Sequence, residues 1–348
     1  MDLCSSQEFL LEHFLRLDTS DPEIWLSALQ DRTHLPIISQ KFVVPLANTI
    51  FRARLSFVSS HSLNAVGIYL NKSSIISGVN MSSTAIIMPI AGRIDFETGS
   101  SRYVCDPWKP FVLDPHEDFR ATLSGETHIF AIQLNALTGR GYRYFFEQCQ
   151  AQLLDALYLF LGGTPFFKNY QHAQKQLENL NRVLLELIGP GRLPSAEPRK
   201  KISDDRRICK AIALINEELL LEIDIESIAK RSGLSLRNLH YLMHDHIGQS
   251  PYQYVRGRRL IKARQAIIQG YSEKTTIAQQ AMKWGFLHTG RFSKYYYAAF
   301  GEYPKDTLSV LARLEKNRRN VKVLRDQADN AESRWLVCNT GPTCNAID

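Results

Sequence analysis

Four polar side chains share one face of a helix that is predicted to begin after Ser235. They are Arg237, His240, Tyr241 and His244, at positions i, i+3, i+4 and i+7. A guanidinium at this face could bind guanine O6 and N7, and an imidazole could donate to a base acceptor. The phenol could contact a thymine methyl or a phosphate. The alternative is an ordinary solvated helix, or a His pair that binds a metal, for which no third ligand is evident.

A second segment with the same character lies between Lys283 and Lys294. Its chain makes a turn at Gly285, and the helix that follows has an aromatic inner face. The outward positions are Thr289, Gly290, Ser293 and Lys294, with Arg291 at the edge. The pattern predicts a second helix with hydrogen-bonding groups on its exposed side.

Each of these helices is preceded by a shorter predicted helix and a glycine turn. Asp224 is a predicted N-cap for the first leading helix, and Gly233 supplies the turn after it. A long helix beginning at Pro251 joins the two units, and we expect its Arg258 to bind phosphate. Two helix-turn-helix units on one domain predict contact with DNA in two adjacent places.

The charge distribution favours the same partner. Residues 199–320 carry 23 Lys and Arg against 12 Asp and Glu, a net charge of +11, whereas residues 1–198 carry a net charge of −3. Neutralising phosphates with basic side chains releases counterions and favours binding. The C-terminal region is therefore predicted to bind double-stranded DNA. The predicted contact residues are Ser235, Arg237, His240, Tyr241, His244, Arg258, Thr289, Gly290, Arg291, Ser293 and Lys294.

The C-terminal motifs resemble the AraC/XylS family of bacterial transcription regulators. The matching segments are 259–264, Trp284-Gly285-Phe286, Arg291-Phe292-Ser293-Lys294 and Phe300-Gly301-Glu302-Tyr303-Pro304. The resemblance covers residues 204–312 and is strongest to the branch with ethanolamine-utilisation and aromatic-catabolism regulators. It implies a transcription activator that binds paired sites and works with RNA polymerase.

The resemblance assigns base contacts by motif position, and two positions depart from the family pattern. The positions are Arg237, His240 and Tyr241 in the first unit and Thr289, Gly290, Ser293 and Lys294 in the second. Gly290 has no side chain with which to contact a base. Leu287 and His288 replace the usual small polar cap, so a different start of the second helix is expected.

The N-terminal half predicts a different architecture. Short apolar runs between residues 42 and 135, separated by turn residues, are typical of a sandwich or small barrel. They resemble the cupin-type barrel that often precedes this DNA-binding domain, which implies effector binding or dimer formation. The expected fold class is α+β, with an N-terminal cupin-like β-barrel with flanking helices and a C-terminal all-α domain.

A catalytic cupin would need several His and a carboxylate to hold a metal. Only His116 and His128 lie nearby, so we expect no enzyme, no cofactor and no bound metal. A metal-dependent enzyme remains an alternative, as does a regulator whose N-terminal domain only dimerises or binds a protein. Five side chains could line an effector cavity, or equally be ordinary surface residues: Arg93, Arg102, Trp108, His116 and Arg120.

The predicted organisation has four parts. An effector-binding and dimerisation domain spans 1–189, a Pro- and Gly-rich linker 190–203, the DNA-binding domain 204–312 and a polar tail 313–348. Residues 1–30 are predicted to be a helical lead. An apolar stripe along the predicted helix 173–188 either packs on the barrel or pairs with a second copy, and a homodimer is expected.

The remaining features favour the cytoplasm. The six cysteines lack zinc-site spacing, which is typical of reduced thiols. The N-terminus has no secretory pattern, and no run of 18 apolar residues predicts a membrane span.

Overall fold

The computed structural model describes residues 10–33, 37–42, 50–80, 83–99, 101–188, 205–271 and 275–316. The strands are β1 (Leu15–Thr19), β2 (Ile37–Phe42), β3 (Ala53–Ser59), β4 (Leu63–Leu70), β5 (Ser74–Asn80), β6 (Thr84–Ala91), β7 (Ile94–Thr98), β8 (Ser101–Cys105), β9 (Phe111–Leu113), β10 (Glu117–Leu123) and β11 (Thr127–Leu134). The helices are α1 (Pro22–Thr33), α2 (Tyr142–Gln148), α3 (Gln150–Gly163), α4 (Tyr170–Ile188), α5 (Arg206–Glu217), α6 (Ile225–Arg231), α7 (Leu236–Ile247), α8 (Pro251–Gln269), α9 (Ile277–Lys283), α10 (Thr289–Phe300) and α11 (304–316). The predicted α+β class, with strands before helices, is confirmed.

The strands form two antiparallel sheets. The first has the order β1-β3-β4-β11-β6-β9 and the second the order β2-β5-β10-β7-β8. Alternate residues of a strand point to opposite faces, and β4 shows what this does in the first sheet. Val66 and Ile68 lie in the core between the sheets, whereas Leu63 and Ala65 lie in a second core under helices. The first sheet is therefore buried on both faces, as predicted for a barrel with flanking helices.

Helices α2 to α4 cover the outer face of the first sheet. Leu177, Leu180 and Leu184 of α4 are buried in one core with Ile86 of β6 and Phe130 of β11. Of the two alternatives for this apolar stripe, packing on the barrel is the one that the structure shows.

The predicted helical lead over residues 1–30 is wrong in its central part. Leu15–Thr19 is strand β1, which pairs with β3, and Leu15 and Leu17 point into the barrel. The helix begins only after Asp21, whose carboxylate accepts hydrogen bonds from the amides of Glu23 and Ile24. Period-two alternation across so short a segment is hard to separate from a helix pattern.

The C-terminal helices enclose two separate cores. Ile208, Leu239 and Met243 belong to the core of the first unit, and Phe292 and Phe300 to the core of the second. Trp284 packs against both cores. Helix α8 runs through both, with Val255 in the first and Ile261 in the second, so it joins the two units as predicted.

The last helix returns to the N-terminal half. Leu311 and Leu314 of α11, with Ile268 of α8, are buried in the core between the two sheets. Helix α11 extends to residue 316, beyond the predicted domain end at 312. The predicted linker 190–203 and tail residues 317–348 lie outside the described residues. No described helix is both long and apolar enough to span a bilayer.

Candidate nucleic-acid interface

The first helix-turn-helix unit is formed by α6 and α7. The side chain of Asp224 accepts a hydrogen bond from the amide of Glu226, so it caps α6 as predicted. Gly233 turns the chain with a φ of 78°, which a residue with a side chain rarely adopts. Ser235 then caps α7 by accepting from the amide of Asn238 at 3.2 Å.

Helix α7 presents most of its predicted contact residues to solvent. Arg237, Tyr241 and His244 are exposed, and Tyr241 keeps 68% of its surface. His240 is half-buried, because its ring lies 6.2 Å from that of Tyr252. The exposed side of α7 is therefore polar and aromatic.

The second unit is formed by α9 and α10. Thr276 and Gln279 make a reciprocal capping box at the start of α9, and Gly285 turns the chain with a φ of 81°. His288 holds the N-cap position of α10, but its side chain makes no capping hydrogen bond. Helix α10 therefore begins without a side-chain cap, and its difference from the family pattern stays a prediction.

Helix α10 also places its predicted residues at the surface. Thr289, Gly290, Arg291 and Lys294 are exposed. Ser293 is half-buried and lines a shallow cavity of about 240 Å³ with Tyr303 and other residues. The inner face is aromatic, with successive ring centroids of Phe292, Tyr296 and Phe300 5.5 and 4.6 Å apart.

Arg258 does not lie on this surface, and its predicted phosphate contact is wrong for the structure described. Only 3% of the residue is exposed, and its guanidinium pairs with the carboxylate of Glu12 in the N-terminal half. Its Nε donates to Asn216 Oδ1 at 3.0 Å. The helix turn at this position faces the barrel rather than solvent.

Two other arginines of α8 also have internal partners. Arg264 is fully buried, and its guanidinium donates to the Leu15 carbonyl at 2.7 Å and to Glu302 at 2.7 Å. Arg259 donates to the carbonyls of Leu219 and Leu221, which lie between α5 and α6. These cations stabilise the fold and are not free for phosphate.

Three exposed residues are candidate contacts that the sequence analysis did not single out: Arg256, Asn238 and Tyr252. Arg256 is exposed, and its guanidinium carbon lies 4.5 Å from the centre of the Tyr295 ring of α10. Asn238 and Tyr252 are exposed beside the predicted stripe of α7. Asn238 lies three residues before Tyr241, so helical spacing could have included it, whereas only the tertiary structure brings Arg256 to Tyr295.

The candidate effector residues of the barrel lie largely in surface ion pairs. Arg93 and Arg102 both bind Asp95, at 2.8 and 3.1 Å, and all three are accessible to solvent. Arg120 faces Glu97 at 3.8 Å, with both side chains about half exposed. Their alternative interpretation as ordinary surface residues fits these positions better.

Comparison with known proteins identifies the C-terminal units. Residues 228–309 match the family model described as "Helix-turn-helix domain". A XylDLEGF operon transcriptional activator of Pseudomonas putida is 36% identical over 99 residues, which is 28% of this chain and 31% of that protein. The C-terminal domain belongs to the AraC/XylS family.

Other AraC/XylS relatives align over a similar stretch. The HTH-type transcriptional activator RhaS of Salmonella schwarzengrund is 31% identical over 104 residues, or 30% of this chain and 36% of that protein. The chain thus spans about a third of the length of these relatives. The structure of the AraC-like transcriptional activator CuxR aligns with 77% of this chain and 99% of its own, at 14% identity and a TM-score of 0.37.

Proposed function

We propose that this protein is a transcription regulator that binds double-stranded DNA through α7 and α10 in successive segments of the major groove. The observation that carries the proposal is that both helices follow a glycine turn and expose polar side chains. The first is represented by Arg237 and Tyr241, the second by Arg291 and Lys294. Such helices contact base edges with a few side chains and phosphates with others.

We infer the contact residues from the exposed positions of these helices. They are the predicted set without Arg258, namely Ser235, Arg237, His240, Tyr241, His244, Thr289, Gly290, Arg291, Ser293 and Lys294. Gly290 would contribute only its backbone, and its lack of a side chain lets the start of α10 approach the DNA closely. Arg256 takes the place of Arg258 as a candidate phosphate contact, because it is exposed and held against Tyr295.

The test is selection from a random duplex pool with the full chain. A paired motif with a separation of about one helical turn is expected, because the two helices would contact one face of the duplex. Arg237→Ala should change the preferred base in one half of the motif, and Arg291→Ala should act on the other half only. Recovery of unrelated sequences, or equal affinity for selected and scrambled duplexes, would contradict the proposal.

Activation of transcription is part of the proposal, because the aligned relatives are named activators. A promoter carrying the selected motif should give more transcript with RNA polymerase and the protein than with RNA polymerase alone. Less transcript would indicate a repressor. The homodimer stays a prediction, which sedimentation of the full chain would test.

A small-molecule effector of the barrel is the second part of the proposal. The barrel contacts α8 through Glu12 and Leu15, so a ligand that moves these residues would act directly on the DNA-binding domain. Ligand binding raises the unfolding temperature by mass action. Thermal unfolding of the full chain against a panel of small growth substrates should therefore reveal a rise with one chemical class.

The alternative is a barrel that acts without a small molecule, and one observation favours it. The described interior is filled with apolar side chains, including Trp25, Phe96 and Phe111, and the last two rings stack at 4.5 Å. In that case no compound of the panel shifts the unfolding temperature, while DNA affinity and activation are retained.

A further inference from the structure

One short segment of the N-terminal half contacts both recognition helices. It comprises residues 164–170, which run from the end of α3 to the first residue of α4, and it is called the bridging segment below. At its first end the side-chain amide of Gln249 donates to the Phe166 carbonyl at 3.3 Å, and Phe166 packs on the core of the first unit. Gln249 lies just after α7, so this contact fixes the end of that helix.

Lys168 adds a second contact at the same place. Gly248 ends α7 with a φ of 65°, and a β-carbon there would lie 2.6 Å from the Lys168 ammonium nitrogen. The ammonium therefore lies beside Gly248, at the C-terminal end of α7. A cation at a helix C-terminus interacts favourably with the free carbonyl groups and the helix dipole.

The other end of the bridging segment contacts the second recognition helix. Gly301 ends α10 with a φ of 73°, and a β-carbon there would lie 2.5 Å from the Tyr170 ring. The ring thus packs against the end of α10, where a β-carbon would have no room. Two helices that are far apart in sequence are capped by one continuous piece of chain.

The bridging segment is firmly attached to the barrel. Phe167 is 6% exposed, and its ring lies 6.3 Å from Phe14 and 6.0 Å from Phe160. The hydroxyl of Tyr170 donates to the Ser59 carbonyl of β3 at 3.5 Å. A segment anchored in this way cannot move relative to the sheet without breaking a packed aromatic cluster.

The DNA-binding domain has limited means of its own to fix the separation of the two helices. Its two units have separate cores, joined by α8 and by the shared contact of Trp284. The bridging segment provides a second connection on the other side. The ion pair of Arg16 with Glu302, just beyond α10, supports it.

We propose that the bridging segment sets the separation and relative angle of the two recognition helices, and thereby the spacing between the two DNA elements that the protein prefers. The inference rests on the proposed function for its DNA half. One added base pair moves an element by about 3.4 Å along the duplex and rotates it by roughly a tenth of a turn. A rigid pair of helices cannot follow that change, whereas a loosely joined pair can.

The test uses the full chain and a series of duplexes that carry the selected motif. In these duplexes one or two base pairs are inserted or deleted between the two halves of the motif. The wild type should lose affinity by about tenfold or more per inserted base pair, as expected for loss of a good base contact. Tyr170→Ala and Lys168→Ala should lose less, so their affinity depends only weakly on spacing. Lys175→Ala, an exposed lysine of α4 outside the bridging segment, is the matched control and should behave as wild type.

Tyr170→Phe keeps the ring on Gly301 and loses only the hydroxyl contact, so it should retain the wild-type spacing profile. Thermal unfolding and circular dichroism establish that each variant is folded at the temperature of the binding assay. If Tyr170→Ala does not fold, Tyr170→Leu and Lys168→Ala replace it. Identical spacing profiles for these variants and the wild type would overturn the inference.

A measurement without DNA separates this inference from the proposed function. His244 and Ala298 lie on the exposed sides of α7 and α10. Each is replaced by a ketone-bearing aromatic residue that carries a spin label. The distance between the two labels reports the distance between the helices. The wild type and Tyr170→Phe should give one narrow distance distribution, and Tyr170→Ala a broad one. Equal widths would overturn the inference even if DNA binding is confirmed. The wild type could give a narrow distribution and Tyr170→Ala a broad one while no DNA motif is selected. That result would confirm the rigid coupling of the two helices, but it would refute the DNA-binding proposal and the predicted effect on DNA spacing.

Discussion

Arg258 of the long helix and Glu12 of the N-terminal half form an ion pair that is buried on both sides, with 3% and 7% of the two residues exposed. Burial alone would raise the pKa of Glu12, but Arg258 and Lys262 beside it hold that pKa below its ordinary value. The carboxylate therefore stays charged and ties the two halves together through α8.

Removing one member of this pair should destabilise the protein strongly. Arg258→Ala leaves the Glu12 carboxylate buried without its partner, which is expected to lower the free energy of unfolding by about 3–5 kcal/mol. Denaturant titration of the full chain measures it. Arg256→Ala, at an exposed arginine two residues away, is the control and should cost no more than about 1 kcal/mol, because it loses only its contact with the Tyr295 ring. A loss for Arg258→Ala as small as that of the control would contradict the buried pair.

Arg237 should act on DNA specificity and leave stability unchanged. It is exposed on α7 and is assigned to a base edge, so Arg237→Ala should cost about 1–3 kcal/mol of binding and relax the preference at one position. Competition binding with selected and single-base-changed duplexes measures both effects. If affinity for random DNA falls as much as affinity for the selected motif, Arg237 contacts phosphate instead.

Two glycines of the second unit should respond to alanine in opposite directions. Gly285 has a φ of 81°, and a β-carbon would approach the Arg259 guanidinium to 3.0 Å, so Gly285→Ala should destabilise by about 1–2 kcal/mol. Gly290 lies in the first turn of α10 with open space around it, so Gly290→Ala should stabilise by up to about 1 kcal/mol. If the two substitutions changed the free energy of unfolding in the same direction, the turn would not be built as described.

A better cap should stabilise the second recognition helix. His288 has the extended backbone of an N-cap residue but makes no side-chain capping bond. His288→Ser should therefore raise the free energy of unfolding by about 0.5–1 kcal/mol. Ser235→Ala, which removes the cap of α7, should lower it by about 1 kcal/mol, and a null result for both would show that capping does not limit either helix.

Acid should destabilise the protein partly through His13. Burial between aromatic rings, with the added repulsion of Arg258, lowers the pKa of His13 to about 4, although Glu12 opposes the shift. The unfolded chain thus takes up the proton more readily, so the free energy of unfolding falls by about 1–3 kcal/mol as the pH falls from about 6.5 to about 4. His13→Gln should lose this part of the pH dependence and differ little in slope above pH 7. Parallel stability curves for both chains between pH 4 and 6.5 would exclude this role.

Local patterns in the sequence predicted much of the C-terminal domain. Asp224, Gly233 and Ser235 each mark a cap or a turn through chemistry within a few residues, and all three are found in those roles. The exposed side of α7 follows from helical spacing in the same way. The role of these side chains in binding DNA is still a prediction.

Contacts between distant parts of the chain were not predictable in this way. Arg258 contributes to the positive charge counted for the C-terminal region, yet Glu12 of the N-terminal half neutralises it inside the protein. Nothing near Arg258 in the sequence signals Glu12, which is 246 residues away. Strand β1 was missed for a related reason, since its identity depends on pairing with β3.

The return of α11 to the barrel has a consequence for the order of folding during synthesis. A nascent chain that ends at Ile188 holds all the strands described, but it lacks Ile268, Leu311 and Leu314 from the core between the sheets. Domains usually fold as units from the N-terminus as the ribosome proceeds. Here one core of the N-terminal half gains its last apolar side chains only with Leu311 and Leu314, so we expect this half to complete its packing together with the helices that follow it.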